Sequence, residues 1–266
     1  MTDNRHGTPG SSGIPGEPAA AAGQAARSRE LAANLTAVEQ RVAAACAAAG
    51  RSRDEVTLVV VTKTYPASDV RLLSGLGVRD VAENRDQEAA AKAAECHDLS
   101  LSWHFVGQLQ TNKVRSVLRY ADRVHSVDRM RLVTALSAGV LNAGRPPLGC
   151  LIQVDLGQEP GEGEFGAGRG GALPSEVPAL ADALAAAPGL RLDGVMAVAP
   201  LLGRFAGNPL GAFGRLAEIA SRVREVHPAA TMVSAGMSGD LEQAIMAGAT
   251  HVRVGTAVLG ARPPLG

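Results

Sequence analysis

The sequence predicts a single (β/α)8 TIM-like barrel with an extra N-terminal helix. Three observations carry that prediction. Eight short runs of apolar, largely β-branched residues punctuate the chain from residue 57 onward. Longer stretches with helical periodicity separate them. The runs are apolar at nearly every position rather than at alternate ones, the pattern of a parallel sheet covered on its outer face by helices. A count of eight matches closure into a barrel, and an open doubly wound sheet is the alternative that periodicity alone leaves open.

Residues 1 to about 26 contain five Gly, three Pro and almost no large apolar side chain. They cannot bury enough surface to offset ordering entropy, and a disordered tail is expected there, with the barrel domain spanning 27–266. From Arg27 to Ala49, Leu31, Leu35, Val38, Val42 and Cys46 recur at three- and four-residue steps, and Gly50 follows as a stop signal. That is the extra helix. The expected strands are Thr57–Thr62, Arg79–Ala82, Ser102–Val106, Arg123–Val127, Gly149–Asp155, Leu192–Val198, Thr231–Ser234 and His251–Val254. Between them the spacing predicts helices over Ser68–Leu76, Asp86–Cys96, Thr111–Tyr120, Arg129–Asn142, Pro174–Ala187, Gly211–Val226 and Gly239–Ala247.

The 266 residues are 46% hydrophobic and 20% charged, with 26 basic residues balancing 26 acidic ones. Zero net charge without blocks of like charge argues against nucleic-acid and anionic-membrane partners. No apolar stretch reaches transmembrane length and the N-terminus lacks a signal-peptide layout, so a cytoplasmic protein is expected. Cys46, Cys96 and Cys150 are widely spaced with no CxxC pair, and read as reduced, buried small residues. The six His show no HxH or HExxH spacing, so no metal site is expected.

In a barrel or an open α/β sheet, the strand C-termini form the working face. The seventh and eighth strands each run through Gly and a hydroxyl residue into a helical stretch: Ser234, Gly236, Met237 and Ser238 at one, Gly255 and Thr256 at the other. Glycine permits close backbone approach, and first-turn N–H groups are available to an anion. Each turn alone also reads as an ordinary helix cap. Together they point to a bound phosphate. Lys63 ends the first strand, in VVVTKTYP. Only three of the 26 basic residues are Lys, namely Lys63, Lys92 and Lys113, so a lysine here is not simply this chain's usual surface cation. A lysine amine in an apolar pocket is held partly unprotonated and forms a Schiff base with a carbonyl, which Arg cannot do. Lys92 and Lys113 lie on helical stretches and read as solvated or phosphate-adjacent. A Schiff-base lysine opposite a phosphate cradle fits either pyridoxal 5'-phosphate or an aldolase acting on a sugar phosphate.

The stretches VVVTKTYP, AENRDQE, LSWHFVGQLQTNK, VHSVD, GMSGD and HVRVGTAVLGAR, in this order, resemble the YggS/PROSC-type pyridoxal phosphate homeostasis proteins over residues 30 to 262. The resemblance implies a fold-type III, alanine-racemase-like barrel that binds pyridoxal phosphate as an internal aldimine on Lys63. It implies that Ser234, Gly236, Met237, Ser238, Gly255 and Thr256 hold the phosphate, that Arg253 faces the pyridine nitrogen, and that Asn84 lies near the ring. His104, Asn112 and Lys113 are implied as pocket lining. An Arg beside the pyridine nitrogen disfavours its protonation and weakens the ring as an electron sink. Two positions depart from the pattern: Arg85 stands where Tyr is usual, with Ala82 for the preceding Gly, and Glu164–Phe165–Gly166 stands where a Lys-containing loop is common.

The same loop reads GEGEFG, a literal GxGxxG. A dinucleotide site needs a helix to open at once, whereas GAGRGGALP intervenes and Glu162 and Glu164 would repel phosphates. It reads instead as a flap over the barrel mouth. Racemases of this barrel class add a second β domain and an opposite-face Tyr; this chain ends at Gly266 and has two Tyr, Tyr65 and Tyr120. The expected function is therefore intracellular buffering or delivery of pyridoxal phosphate by a monomer, with apo-enzymes that require the cofactor as partners. A pyridoxal-phosphate-dependent amino-acid racemase is the alternative.

Overall fold

The computed structural model describes residues 17–157 and 170–260, with side chains from residue 22 onward. Eight parallel strands close into a barrel in sequence order: β1 (Thr57–Val61), β2 (Asp80–Glu83), β3 (Ser102–Phe105), β4 (Arg123–Val127), β5 (Leu148–Gln153), β6 (Leu190–Met196), β7 (Met232–Ser234) and β8 (His251–Val254). Closure, which periodicity could not establish, is made by β1 against β8, with Leu58 opposite Val252 and Val60 opposite Val254. The eight expected strands are all present, with ends shifted by one or two residues.

Outside the barrel run α1 (Glu17–Ala48), α2 (Ala67–Gly75), α3 (Asp86–Glu95), α4 (Val114–Val117), α5 (Met130–Ala143), α6 (Val177–Ala186), α7 (Pro209–Val226), α8 (Leu241–Met246) and α9 (Thr256–Leu259). The helix expected over Thr111–Tyr120 is shorter, a 3₁₀ turn at Thr111–Lys113 leading into α4. The first helix starts at Glu17 rather than near Arg27, so residues 17–26 are helical and not part of a disordered tail. Its first turns, EPAAAAGQAA, are rich in the strongest helix former and carry Pro18 in the first turn, where proline is tolerated. The rest of the expected tail, residues 1–16, lies outside the described residues, as does the GEGEFG loop.

Among the described residues the packing divides into two large apolar clusters and a small one, Val59, Val61 and Ala82 with Val106, inside the barrel. One of the large clusters joins α1, α2, β1, β2 and β8 through Leu31, Val42, Leu73 and Val252. The other joins α5, α6, α7, β4, β5 and β6 through Leu136, Leu184, Phe213 and Val195. Helix α1 braces the last two helices of the barrel. Asn34 donates to the carbonyl of Val258 at 3.1 Å, Arg41 pairs with Glu242 at 2.7 Å, and Arg41 also reaches the carbonyl of Ser238 at 3.0 Å. The extra helix thus supports, from behind, the turns expected to bind phosphate. The three cysteines are buried and unpaired. Among the described residues no helix is long and apolar enough to cross a membrane, and no cluster of His, Cys, Asp or Glu could hold a metal ion.

Candidate functional site

At the C-terminal end of the strands lies a cavity of about 440 Å³, within the usual size range for a small-molecule site. Lys63 and Tyr65 enter it after β1, Asn84 after β2, Arg253 from β8, and Met237, Ser238, Gly239, Gly255 and Thr256 from the last two turns. Val61, Val106, Met196 and Val198 supply the apolar wall. Seven of the twelve residues expected at the site therefore share one cavity: Lys63, Asn84, Met237, Ser238, Arg253, Gly255 and Thr256.

The two turns are built for close approach. Gly236 has φ +88, and a Cβ there would lie 2.6 Å from the Ala244 side chain, so α8 can come close only against a glycine. The Gly236 carbonyl accepts from the Arg253 amide at 2.9 Å, and the Ser238 hydroxyl accepts from the Ala257 amide at 3.3 Å. These bonds tie the two turns to each other. The Met237 amide already donates to the Asp240 carboxylate at 2.6 Å, so Met237 contributes position and side chain rather than an amide for an anion. The segment 238–239 and the opening of α9 supply the N–H and hydroxyl groups at that end.

Lys63 is placed by an unusual backbone. Thr64, directly after it, has φ +69, a left-handed conformation that a β-branched residue rarely adopts and that recurs at ligand sites. The Thr64 amide donates to Glu88 at 3.2 Å, which holds the bend. On the β2 side, a Cβ on Gly107 would lie 2.0 Å from the Asn84 carbonyl. The glycine in WHFVGQ is therefore what lets the ends of β2 and β3 meet behind Asn84. The side-chain oxygen of Asn84 is buried with no hydrogen-bond partner, a group suited to meeting a ligand donor. Tyr65 is 7% exposed and its hydroxyl donates to the Gly260 carbonyl at 2.8 Å.

Four expectations need correction. His104 does not line the cavity; it is fully buried in the barrel interior, 2.8 Å from His125 and 3.0 Å from Asp80. Strand alternation explains this, because Trp103 and Phe105 face outward and His104 must face the barrel axis. Asn112 and Lys113 sit on the 3₁₀ turn and are not among the residues that line the cavity. Lys92 is neither solvated nor near a phosphate: it is 6% exposed and its amine donates to Glu83 at 2.5 Å and to the Thr62 carbonyl at 2.7 Å. Ser234 lies one layer behind the cavity, its hydroxyl accepting from Arg253 at 2.6 Å. Arg85, where Tyr was expected, points outward and pairs with Glu88 at 3.2 Å.

Arg253 is 4% exposed and bonds to Ser234 and to the Ala197 carbonyl, the latter at 2.9 Å. Burial pushes its pKa down to about 10, so it remains a cation at neutral pH. Burial also holds His125 well below the ordinary imidazole value, and the neighbouring charge of Arg253 acts in the same direction. Sequence reasoning gave no role to His125, Glu83 or Asp80. The signal was available for the first, since residues two apart on a strand share a face and RVHSV places a polar ring on the inner one.

An amine, an apolar midsection with a buried Arg, and two linked glycine turns at one end form a donor set that fits a phosphorylated aldehyde with a heteroaromatic ring. Comparison with known proteins agrees with that chemistry. The alanine racemase N-terminal domain model matches residues 33–263. A pyridoxal phosphate homeostasis protein of Pseudomonas aeruginosa is 42% identical over 233 residues, covering 87% of this chain and 96% of its own. That of Mycobacterium bovis is also 42% identical, over 89% of this chain and 94% of its own. Among solved structures, PipY of Synechococcus elongatus PCC7942 with PLP bound superposes with a TM-score of 0.70 at 31% identity, covering 86% of this chain and 100% of that one. A match of this breadth, over the stretch that carries Lys63 and both glycine turns, makes the chain a member of the alanine racemase N-terminal domain family, in the group of pyridoxal phosphate homeostasis proteins.

Proposed function

We propose that this protein binds pyridoxal 5'-phosphate in the cavity at the strand C-termini and serves its homeostasis, storing the cofactor and releasing it to apo-enzymes, without robust catalysis of its own. One observation carries the reading: Lys63, from the end of the first strand, and Arg253 with the two glycine turns, from the last two, surround one cavity. Pyridoxal phosphate, when bound, supplies an aldehyde that condenses with a primary amine. Lys63 provides that amine, Ser238, Gly239 and Thr256 the anion end, and Asn84 and the valines the walls of the ring slot. Arg253 faces the ring as a buried cation, which disfavours protonation of the pyridine nitrogen. The cofactor is then held more than activated.

The racemase alternative needs an acid–base group on the face opposite Lys63. The Tyr65 hydroxyl is engaged by Gly260, and Tyr120 is half-buried with its ring against Trp103, outside the residues that line the cavity. Purified protein incubated with pyridoxal phosphate is expected to show visible absorbance that borohydride fixes on Lys63, and Lys63→Ala is expected to lose it. Colourless wild-type protein at saturating cofactor would overturn the reading. Robust conversion of an L-amino acid to its D form would restore the racemase. A cytoplasmic monomer is part of the same proposal, and light scattering of the cofactor-loaded protein tests its size.

A further inference from the structure

A line of buried polar side chains crosses the barrel interior, from the cavity to the opposite face. Arg253 donates to the Ser234 hydroxyl at 2.6 Å. That oxygen lies 3.0 Å from His125 Nδ1. His125 Nε2 lies 2.8 Å from His104 Nδ1, the two rings meeting edge to face at 67°. His104 Nε2 lies 3.0 Å from Asp80 Oδ1. Asp80 is the first residue of β2, at the N-terminal end of the barrel, and its side chain is 25% exposed, whereas Ser234, His125 and His104 are fully buried.

We propose that Asp80, His104 and His125 are positioning residues that act through Ser234 to fix Arg253 against the cofactor ring; the inference rests on the pyridoxal phosphate reading above. The physical reason is that the line has one consistent direction. A carboxylate only accepts, so His104 carries its proton on Nε2 and leaves Nδ1 as an acceptor. His125 must then donate from Nε2, and its bare Nδ1 accepts from the Ser234 hydroxyl. Ser234, having donated its hydrogen to His125, presents its lone pairs to Arg253. Every donor points from the cavity toward Asp80, and reversing any link sets two acceptors or two hydrogens face to face.

The charge states support this direction. Burial works against ionisation of Asp80, but the hydrogen bond from His104 and the charge of Arg123 outweigh it and hold the carboxyl below its ordinary value. Burial keeps His125 neutral. A second contact at the far end, Ser102 at 3.2 Å from His104 Nε2, also accepts from Arg123 at 2.9 Å; it is a neutral hydroxyl able to donate as well as accept, so it does not fix the His104 tautomer as the carboxylate does. Buried polar networks of this kind are specified as a unit, and a change at one end is felt along the line.

The test reads tautomers first. In cofactor-free, full-length protein labelled with 15N-histidine, long-range 1H–15N spectra are expected to show His104 and His125 protonated on Nε2 alone. In Asp80→Ala, His125 is expected to show a mixture of tautomers although it does not touch residue 80. A wild-type His125 protonated on Nδ1, or a His125 unchanged in Asp80→Ala, overturns the proposal. A cofactor arm then reads the consequence. Asp80→Ala is expected to weaken pyridoxal phosphate binding about fivefold, the worth of one neutral hydrogen bond. In a Ser234→Ala background, where the line is already cut, Asp80→Ala is expected to have no further effect; additive losses would mean that Asp80 acts by another route. If wild-type protein shows no borohydride-fixable absorbance, the cofactor reading itself falls and takes the ring role with it. If wild type and Asp80→Ala bind equally well, only the relay is refuted.

Discussion

The Lys92 ammonium lies 2.5 Å from the Glu83 carboxylate, and both side chains are almost completely buried, 7% and 0% exposed. The same ammonium reaches the Thr62 carbonyl, and the Thr62 hydroxyl donates to Glu83 at 2.6 Å. Thr62 directly precedes Lys63 and Glu83 directly precedes Asn84, so this buried pair ties together the ends of the two strands that deliver those residues to the cavity. A lysine suits the place because one compact ammonium can serve both acceptors. The second of the chain's three lysines is thus a structural ion that supports the first.

Lys92→Met is expected to destabilise the protein by about 3–5 kcal/mol, because it leaves a carboxylate buried without its counter-ion. Burial already raises the Glu83 pKa, with the Lys92 charge and hydrogen bonds only partly opposing it. Adding Glu83→Gln to Lys92→Met is expected to recover much of the loss. Urea denaturation of the single and double variants checks this; a double variant no more stable than the single one would refute the pair as an isolated unit.

Acid is expected to weaken the fold from about pH 6.5 downward. His125 is held well below the ordinary imidazole value by burial, and His251 is lowered to about 4, also chiefly by burial. Below about pH 6.5 the unfolded chain binds protons at both sites and the native state does not, so stability falls as pH drops. Two such groups give a slope of about 2 kcal/mol per pH unit between about pH 6.5 and 4. Urea midpoints measured at pH 7 and pH 5 read the slope directly, and a flat profile would count against neutral burial of these rings.

Gly107→Ala is expected to weaken cofactor retention without abolishing the fold. The added methyl would lie 2.0 Å from the Asn84 carbonyl, so the end of β2 must move and carry Asn84 out of place. Overpacking of this size costs about 1–3 kcal/mol. Titration of the visible band against pyridoxal phosphate, with circular dichroism as the control for folding, separates the two effects.

Thr64→Gly is expected to raise stability and lower affinity together. The left-handed φ of +69 at Thr64 costs about 1–3 kcal/mol in a β-branched residue, and glycine removes that cost at an entropic penalty of about 0.5–1 kcal/mol. The same freedom loosens the backbone beside Lys63. A higher melting temperature with a faster loss of bound cofactor is the expected pair of results; lower stability would show that Thr64 is not strained.

Much of this protein could be read from its residues. The β-branched runs marked all eight strands because parallel strands buried on both faces tolerate little else. Lys63 and the two glycine turns were legible because each is a residue type that its local chemistry demands at a strand end; Arg253 was legible only through the family resemblance. The helical start at Glu17 was missed, since an Ala-rich stretch beside Gly and Pro offers no apolar face to find. Lys92 and His104 were misplaced for a different reason: helical periodicity and a motif give a residue's neighbours in sequence, not the depth of its side chain.

The sequence by itself determined the order of strands, the amine, and the turns able to meet an anion, because those depend on local propensity and on side-chain chemistry. Only the tertiary structure decided that the sheet closes, that Ser234 stands behind Arg253 rather than on the cavity, and that Asp80, His104 and His125 share one line through the barrel. Those relations join residues from five strands, and each is set by barrel closure, which brings the inward-facing positions of distant strands within hydrogen-bonding distance.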